Sequence, residues 1–149
     1  MEKIIDSVSD IATIFAFLLA IFGFWYAVKQ FNQYKKTEQA RFWLDLRKMF
    51  KEHDEVHQRL RNPEDWRSSR IGPVNNDEWA KVEAYMGLFE LCNILIKRNL
   101  IDIEIFKTQY EYRIRNILSN EVIRQKKLID AKEGWKEFIE LVKKLDLCL

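Results

Sequence analysis

The sequence contains little of what most catalytic or disulfide-stabilised proteins need. Its 149 residues include only two cysteines, two histidines and two prolines. Cys92 and Cys148 are far apart and form no CxxC motif, which excludes a disulfide framework and indicates free thiols. The sequence also has no phosphate-binding loop, serine nucleophile elbow, dinucleotide fingerprint or RNA-binding signature. We therefore expect a protein that is not an enzyme and has no cofactor.

The scarcity of proline and glycine favours long helices. Apolar residues recur at spacings of three and four, and no segment shows the alternation of a strand. The Asn-Pro step at 62–63 ends a long first helix, and the Asn-Asp pair at 76–77 begins a second. Asp102 caps a third. A short helical segment to residue 128 and a last helix over 132–145 follow, which predicts an all-α bundle of about four helices.

One long apolar run near the N-terminus predicts a transmembrane helix. Residues 11–28 (IATIFAFLLAIFGFWYAV) carry no charge. They make about 27 Å of helix, close to the ~30 Å hydrocarbon thickness. An acidic flank and the lack of a cleavage site argue against a signal peptide. The predicted domains are a transmembrane anchor over residues 1–36, with its span at about 11–28, and a helical domain over 37–149.

Charges on the two sides of this run predict its orientation. Acidic residues precede it, whereas lysine and arginine follow it closely, and such basic residues remain in the cytoplasm. The sequence therefore predicts a single-pass membrane protein. Its N-terminus is expected outside, its helical domain in the cytoplasm, and the lipid bilayer is its first partner.

Small residues lie along one face of the predicted span. They are spaced 4, 4, 3 and 4 apart, at Ala12, Ala16, Ala20, Gly23 and Ala27. Such a face lets helix backbones approach closely, so we expect a homo-oligomer or a partner membrane helix docked there. The alternative is that alanine is simply common in membrane helices.

The two histidines, His53 and His57, lie one helical turn apart and are a candidate metal pair. A zinc protease needs Glu directly after the first His, and Asp54 is there instead. No third histidine exists, and a closed zinc site needs two more ligands. A solvated helix face fits the pair better, and no metal site is expected.

A polar pocket is a further candidate. Glu83 and Glu90 lie seven residues apart on one helix, and Arg113 and His53 lie near the apolar stripes of other helices. If these groups and His57 converge, they form a buried polar network, because a buried carboxylate needs a partner. The alternatives are a structural salt bridge or simple surface exposure.

Three basic runs, at residues 59–61, 67–70 and 124–127, are candidates for contact with anionic lipid or RNA. Acidic residues interleave with the first, and the net charge is only +2. Solvated faces are the better interpretation, and nucleic acid is not an expected partner.

Four phrases of the sequence resemble a family of bacterial hypothetical proteins. They are ARFWLDLRKMFKEHDEVHQRLR (40–61), DEWAKVEAYMGLFELCNIL (77–95), LID-x-x-x-F (100–106) and YEYRIRNIL (110–118). The resemblance implies a protein of the bacterial inner membrane with one N-terminal span and a helical cytoplasmic domain, and it implies no activity or catalytic residue.

Two functions are compatible with these observations. The first is a membrane-anchored helical interaction or regulatory module that self-associates through the small-residue face and binds a cytoplasmic protein partner. The second is a membrane-bound enzyme, or a ligand or metal sensor, that uses the polar pocket.

Overall fold

The structure is a computed structural model that describes the backbone of residues 2–67 and 70–148. Within these ranges it describes the side chains of residues 19–31, 33–34, 37–67 and 70–148. The described residues are helical and contain no strand, which confirms the all-α part of the prediction. The chain divides into two compact units, Met1–Leu46 and Arg47–Leu149.

Helix α1 (Glu2–Glu52) provides the first unit and contradicts the predicted membrane span. Among the described residues, no helix is long and apolar enough to cross a membrane. The single-pass membrane assignment is corrected accordingly.

The small-residue face of the predicted span is only partly described. Ala12 and Ala16 lie outside the described side chains, as do all of residues 11–18. Ala20, Gly23 and Ala27 are described and exposed on α1. A Cβ atom added to Gly23 would meet no atom of the described chain within 4 Å.

The second unit begins with the end of α1 and a short helix α2 (Asp54–Arg61). The sequence predicts one continuous helix to residue 61, whereas the structure breaks it at His53, where φ is −107° and ψ is 21°. Asp54 and Glu55 then occupy the first turn of α2, where a carboxylate is favoured by the helix dipole. The break therefore lies directly before two residues that favour the start of a new helix.

Helices α3 (Asn76–Lys97) and α4 (Ile103–Ser119) follow, each with a side-chain cap. Asn75, one residue before the predicted pair, accepts a hydrogen bond from the Glu78 amide at 2.9 Å. Asp102 accepts hydrogen bonds from the first free amides of α4 at 2.9 and 3.0 Å, which confirms the predicted cap.

The C-terminal part is less regular than predicted. One helical turn, α5 (Glu121–Ile123), leads into a π-helix over Arg124–Asp130. A 3₁₀ turn (Lys132–Trp135) then precedes α6 (Lys136–Lys144). The π-helix places the ammonium groups of Lys126 and Lys127 at 4.0 and 5.0 Å from the ring centroid of Trp79. Such contacts combine apolar burial with attraction to the ring face.

Aromatic rings form the core of the second unit. Phe89 of α3 lies 4.9 Å from Phe50 and 6.0 Å from Phe138, measured between ring centroids. Phe50 also stacks on Tyr110 of α4 at 4.5 Å. These rings connect the end of α1 with α3, α4 and α6, and α3 packs most extensively against α6. The unit therefore has a continuous core of its own.

Asn120 attaches the connection between α2 and α3 to this core. Its side-chain amide, fully buried, donates to the Trp66 and Ile71 carbonyls at 2.6 and 2.7 Å. Its side-chain oxygen accepts from the Ile123 amide at 2.9 Å. All three bonds are needed because a buried amide without partners is costly.

Candidate functional site

Three of the five residues of the predicted polar pocket lie near Tyr85. His57 is 3% exposed, and its Nδ1 lies 3.5 Å from the Tyr85 hydroxyl oxygen. The His53 ring lies 6.2 Å from the Tyr85 ring, between centroids. Arg113 of α4 approaches the same region, because its charge acts on both His57 and Tyr85. The structure thus brings His53, His57 and Arg113 together.

The other two residues lie elsewhere. Glu83 forms an ion pair with Lys127 of the π-helix. Glu90 accepts a hydrogen bond from the Phe138 amide at 3.4 Å, and burial raises the pKa of its carboxyl. Each carboxylate therefore joins α3 to a C-terminal segment rather than to the His57 region.

The pKa values of His57 and Tyr85 keep both side chains neutral near pH 7. Burial, the largest cause, and the positive charges of Arg113 and Arg61 together lower the pKa of His57 to about 4, against the opposing effect of Asp54. Burial also raises the pKa of Tyr85 to about 12. Near neutral pH, neither group has the pKa of an efficient general acid or base. This pair is therefore suited to packing and to fixing its neighbours.

Metal-ligating groups do not cluster in the described part of the chain. No group of three or more His, Cys, Asp or Glu side chains there is arranged to hold an ion. Cys92 is buried, and burial raises the pKa of its thiol to about 12, which disfavours the thiolate that metals and electrophiles require.

Two open clefts lie on either side of Tyr112. The first has a volume of about 450 Å³ and is lined by side chains from α2, the following loop and α4, namely Gln58, Arg61, Asn62, Arg67, Tyr112 and Asn116. The second has a volume of about 390 Å³ and lies between the end of α1 and α4, lined by Arg47, Phe50, Gln109, Tyr110, Tyr112 and Arg113. Among the described residues, no carboxylate lines either cleft. We call the two clefts together the arginine groove.

Helix α4 forms the floor shared by both clefts. Gln109, Tyr112, Arg113 and Asn116 follow the i, i+3, i+4, i+7 spacing that places side chains on one helical face. This face extends over about 10 Å of helix. The two clefts are therefore neighbouring parts of one elongated surface.

The arginines of the groove differ from those that stabilise the fold. Arg59 forms ion pairs with Asp65 and Glu78 at 2.8 and 2.6 Å, and Arg115 pairs with Glu111. By contrast, three groove arginines make no ion pair with any described residue. They are Arg47, Arg61 and Arg67.

Arg113, the fourth groove arginine, is only partly satisfied. Its Nε donates to the Tyr112 hydroxyl oxygen at 3.1 Å, and its Nη2 lies 4.0 Å from an Asp54 carboxylate oxygen. Its buried Nη1 has no hydrogen-bond partner among the described residues. The groove therefore presents the charges of Arg47, Arg61 and Arg67 without internal ion pairs, whereas Arg113 is mostly occupied by its own contacts.

Sequence reasoning identified only part of this surface. Arg61 and Arg67 belong to the basic runs that we interpreted as solvated faces. Arg47 and Tyr112 carried no signal of their own, because a single arginine or tyrosine on a helix is ordinary. The i, i+3, i+4, i+7 pattern of polar residues on α4 was the available signal, on the helix face beside the apolar stripe used to predict the core.

Comparison with known proteins gives no match, whether with protein-family models, with curated proteins or with solved structures. No residue role is therefore transferred to this chain from another protein.

Proposed function

We propose that this protein is a helical binding module, without catalytic activity, that holds an anionic ligand in the arginine groove. The observation that carries the proposal is the absence of carboxylates from both clefts, although four arginines line them. Guanidinium groups without an internal partner are the usual means of recognising phosphate or carboxylate. The neutral His57–Tyr85 pair supports binding over acid–base chemistry.

The site is also suited to a small ligand by its dimensions. Each cleft falls within the range of about 300–1,000 Å³ that is typical of ligand sites. The polar linings, with two arginines in each, favour a charged ligand over an apolar one. The ligand-sensor hypothesis is therefore retained, with the arginine groove in place of the five-residue pocket.

Calorimetric titration of the full-length protein with inorganic pyrophosphate at low salt tests this proposal. We expect Arg61→Ala/Arg67→Ala to weaken binding at least about tenfold, because charge-assisted bonds from two arginines are lost. The matched control is Arg98→Ala/Arg115→Ala, which removes the same charge outside the groove and should change the affinity less than about twofold.

Two results would contradict the proposal. One is that the unmodified protein does not bind pyrophosphate. The other is an equal loss in both double variants, which would show attraction by overall charge rather than binding in the groove.

We further propose that the module self-associates along α1. Large apolar side chains there are exposed in the single chain, among them Leu19 at 68% and Phe24 at 74%. Exposed apolar surface of this kind marks protein–protein contacts. Small side chains line one side of the helix, at Ala20, Gly23 and Ala27. A second copy can therefore approach the helix backbone closely on this side.

Gly23→Leu tests the self-association in native mass spectrometry. The single chain has open space at this position, so the variant should fold normally. A leucine would nevertheless keep a second helix at a distance, and we expect the oligomer fraction to fall. Ile21→Leu, on the opposite side of α1, is the control. An unchanged oligomer in Gly23→Leu would exclude this face.

A further inference from the structure

Tyr112 lies where the two clefts of the arginine groove meet, and its ring is both exposed and held in place. The residue is 47% exposed. Its hydroxyl oxygen accepts the hydrogen bond from Arg113 Nε, and the buried His57 ring meets its ring edge-on, with centroids 5.5 Å apart and an angle of 70°. An exposed aromatic ring braced in this way can stack on a planar ligand with little loss of side-chain entropy.

The positive charges lie on both sides of this ring. Arg61 and Arg67 line the first cleft, and Arg47 and Arg113 line the second. A ligand that satisfies both pairs carries two anionic groups with a planar group between them. A simple acidic peptide would satisfy the arginines but would leave the tyrosine ring unused.

Side-chain amides complete the lining. Asn116 in the first cleft and Gln109 in the second form no side-chain hydrogen bond with the described residues. Each amide offers both a donor and an acceptor, as the edge of a nucleobase does. The groove therefore combines the three elements that nucleotides require, which are cations for phosphate, a ring for the base and amides for its edge.

We propose that the arginine groove binds a nucleoside that carries phosphates on both its 3′ and 5′ sides, with the base stacked on Tyr112. This chemistry occurs in free nucleoside bisphosphates and in each inner residue of a single-stranded nucleic acid. The inference rests on the proposed function, because it specifies the anionic ligand of the same groove. It revises the sequence-based expectation that nucleic acid is not a partner, since that expectation used the net charge and not its distribution.

Three probes test the inference on the full-length protein, namely adenosine 3′,5′-bisphosphate, inorganic pyrophosphate and hexaglutamate. We expect the bisphosphate to bind at least about tenfold more tightly than pyrophosphate, because stacking of one base on an aromatic side chain has this magnitude. Tyr112→Leu should remove that advantage, so that the bisphosphate and pyrophosphate bind with similar affinity. Tyr112→Phe, which keeps the ring, should retain the advantage.

The outcomes separate this inference from the proposed function. Equal affinities for pyrophosphate and the bisphosphate overturn the inference but leave an anion-binding groove. Tighter binding of hexaglutamate also overturns it, in favour of an acidic protein segment. No binding of any probe removes the proposed function itself. The comparison of probes on the unmodified protein needs no variant, so it decides the matter even if Tyr112→Leu does not fold.

An eight-nucleotide single strand distinguishes the two sources of the ligand. If the inference holds, a strand that binds more tightly than the bisphosphate identifies nucleic acid as the source, with affinity that falls steeply with salt. A strand that binds no better identifies a free nucleotide.

Discussion

His57 shows how one buried side chain makes the stability of this protein depend on pH. The imidazole is shielded from water and lies near the positive charges of Arg113 and Arg61, so its charged form is disfavoured in the folded state. Its pKa falls from an unfolded value of 6.5 to about 4. Because the unfolded chain takes up the proton first, the contribution to stability is complete above pH 6.5 and is lost as the pH falls towards 4.

We therefore expect the free energy of unfolding to decrease by about 2 kcal/mol between pH 7 and pH 5 on account of His57. Urea denaturation at a series of pH values measures this change. His57→Leu should lack this part of the pH dependence, whereas His53→Gln should keep it. Equal slopes in the unmodified protein and in His57→Leu would show that other groups cause the change.

The loop between α2 and α3 shows how an element without regular structure is positioned. Arg59 binds Asp65 within the loop and lies 3.9 Å from the Trp66 ring centroid. Asn120 binds two carbonyls of the same loop from the other side. Gly72 approaches α5 so closely that an added Cβ atom would lie 2.7 Å from a Val122 methyl carbon. The described residues of this loop, 62–67 and 70–75, are thus held by side chains of other elements, and Arg67 among them lines the groove.

Gly72→Ala is expected to lower the free energy of unfolding by about 1–3 kcal/mol, because the new methyl group and Val122 cannot share the same space. Thermal unfolding followed by circular dichroism measures this loss. Gly134→Ala is the control, because a Cβ there meets open space. If both variants unfold at the temperature of the unmodified protein, the loop can move away and is not held as described.

At the scale of the whole molecule, the net charge conceals how the charges are distributed. A net charge of +2 gave no reason to expect an anionic ligand. In the structure, many carboxylates form ion pairs that hold the helices and the loop together, such as the pairs with Arg59 and Lys97. Among the described residues, the groove is lined by four arginines and no carboxylate, and only Arg113 has a carboxylate nearby, that of Asp54 at 4.0 Å, so the local field is more positive than the chain average.

The sequence by itself determined the helical class and most of the core. Helical spacing predicted the buried positions Val82, Phe89 and Ile114, since the interior of a helix bundle must be apolar at intervals of three and four. It also predicted the Asp102 cap, because capping depends only on a few adjacent residues. The predicted membrane span was wrong. That prediction used only the uncharged run of residues, without the structure of the helix that contains the run.

Only the tertiary structure decided where the polar side chains act. The five predicted pocket residues separated because Glu83 and Glu90 found partners in C-terminal segments about 44–48 residues away along the chain. The arginine groove formed because the end of α1 from Arg47 onwards, α2, the loop and α4 meet around Tyr112 within the second unit. The burial of apolar side chains gives each helix a periodic sequence pattern. The pairing of charges depends instead on which helices become neighbours in the fold, and the sequence of one helix does not determine its neighbours.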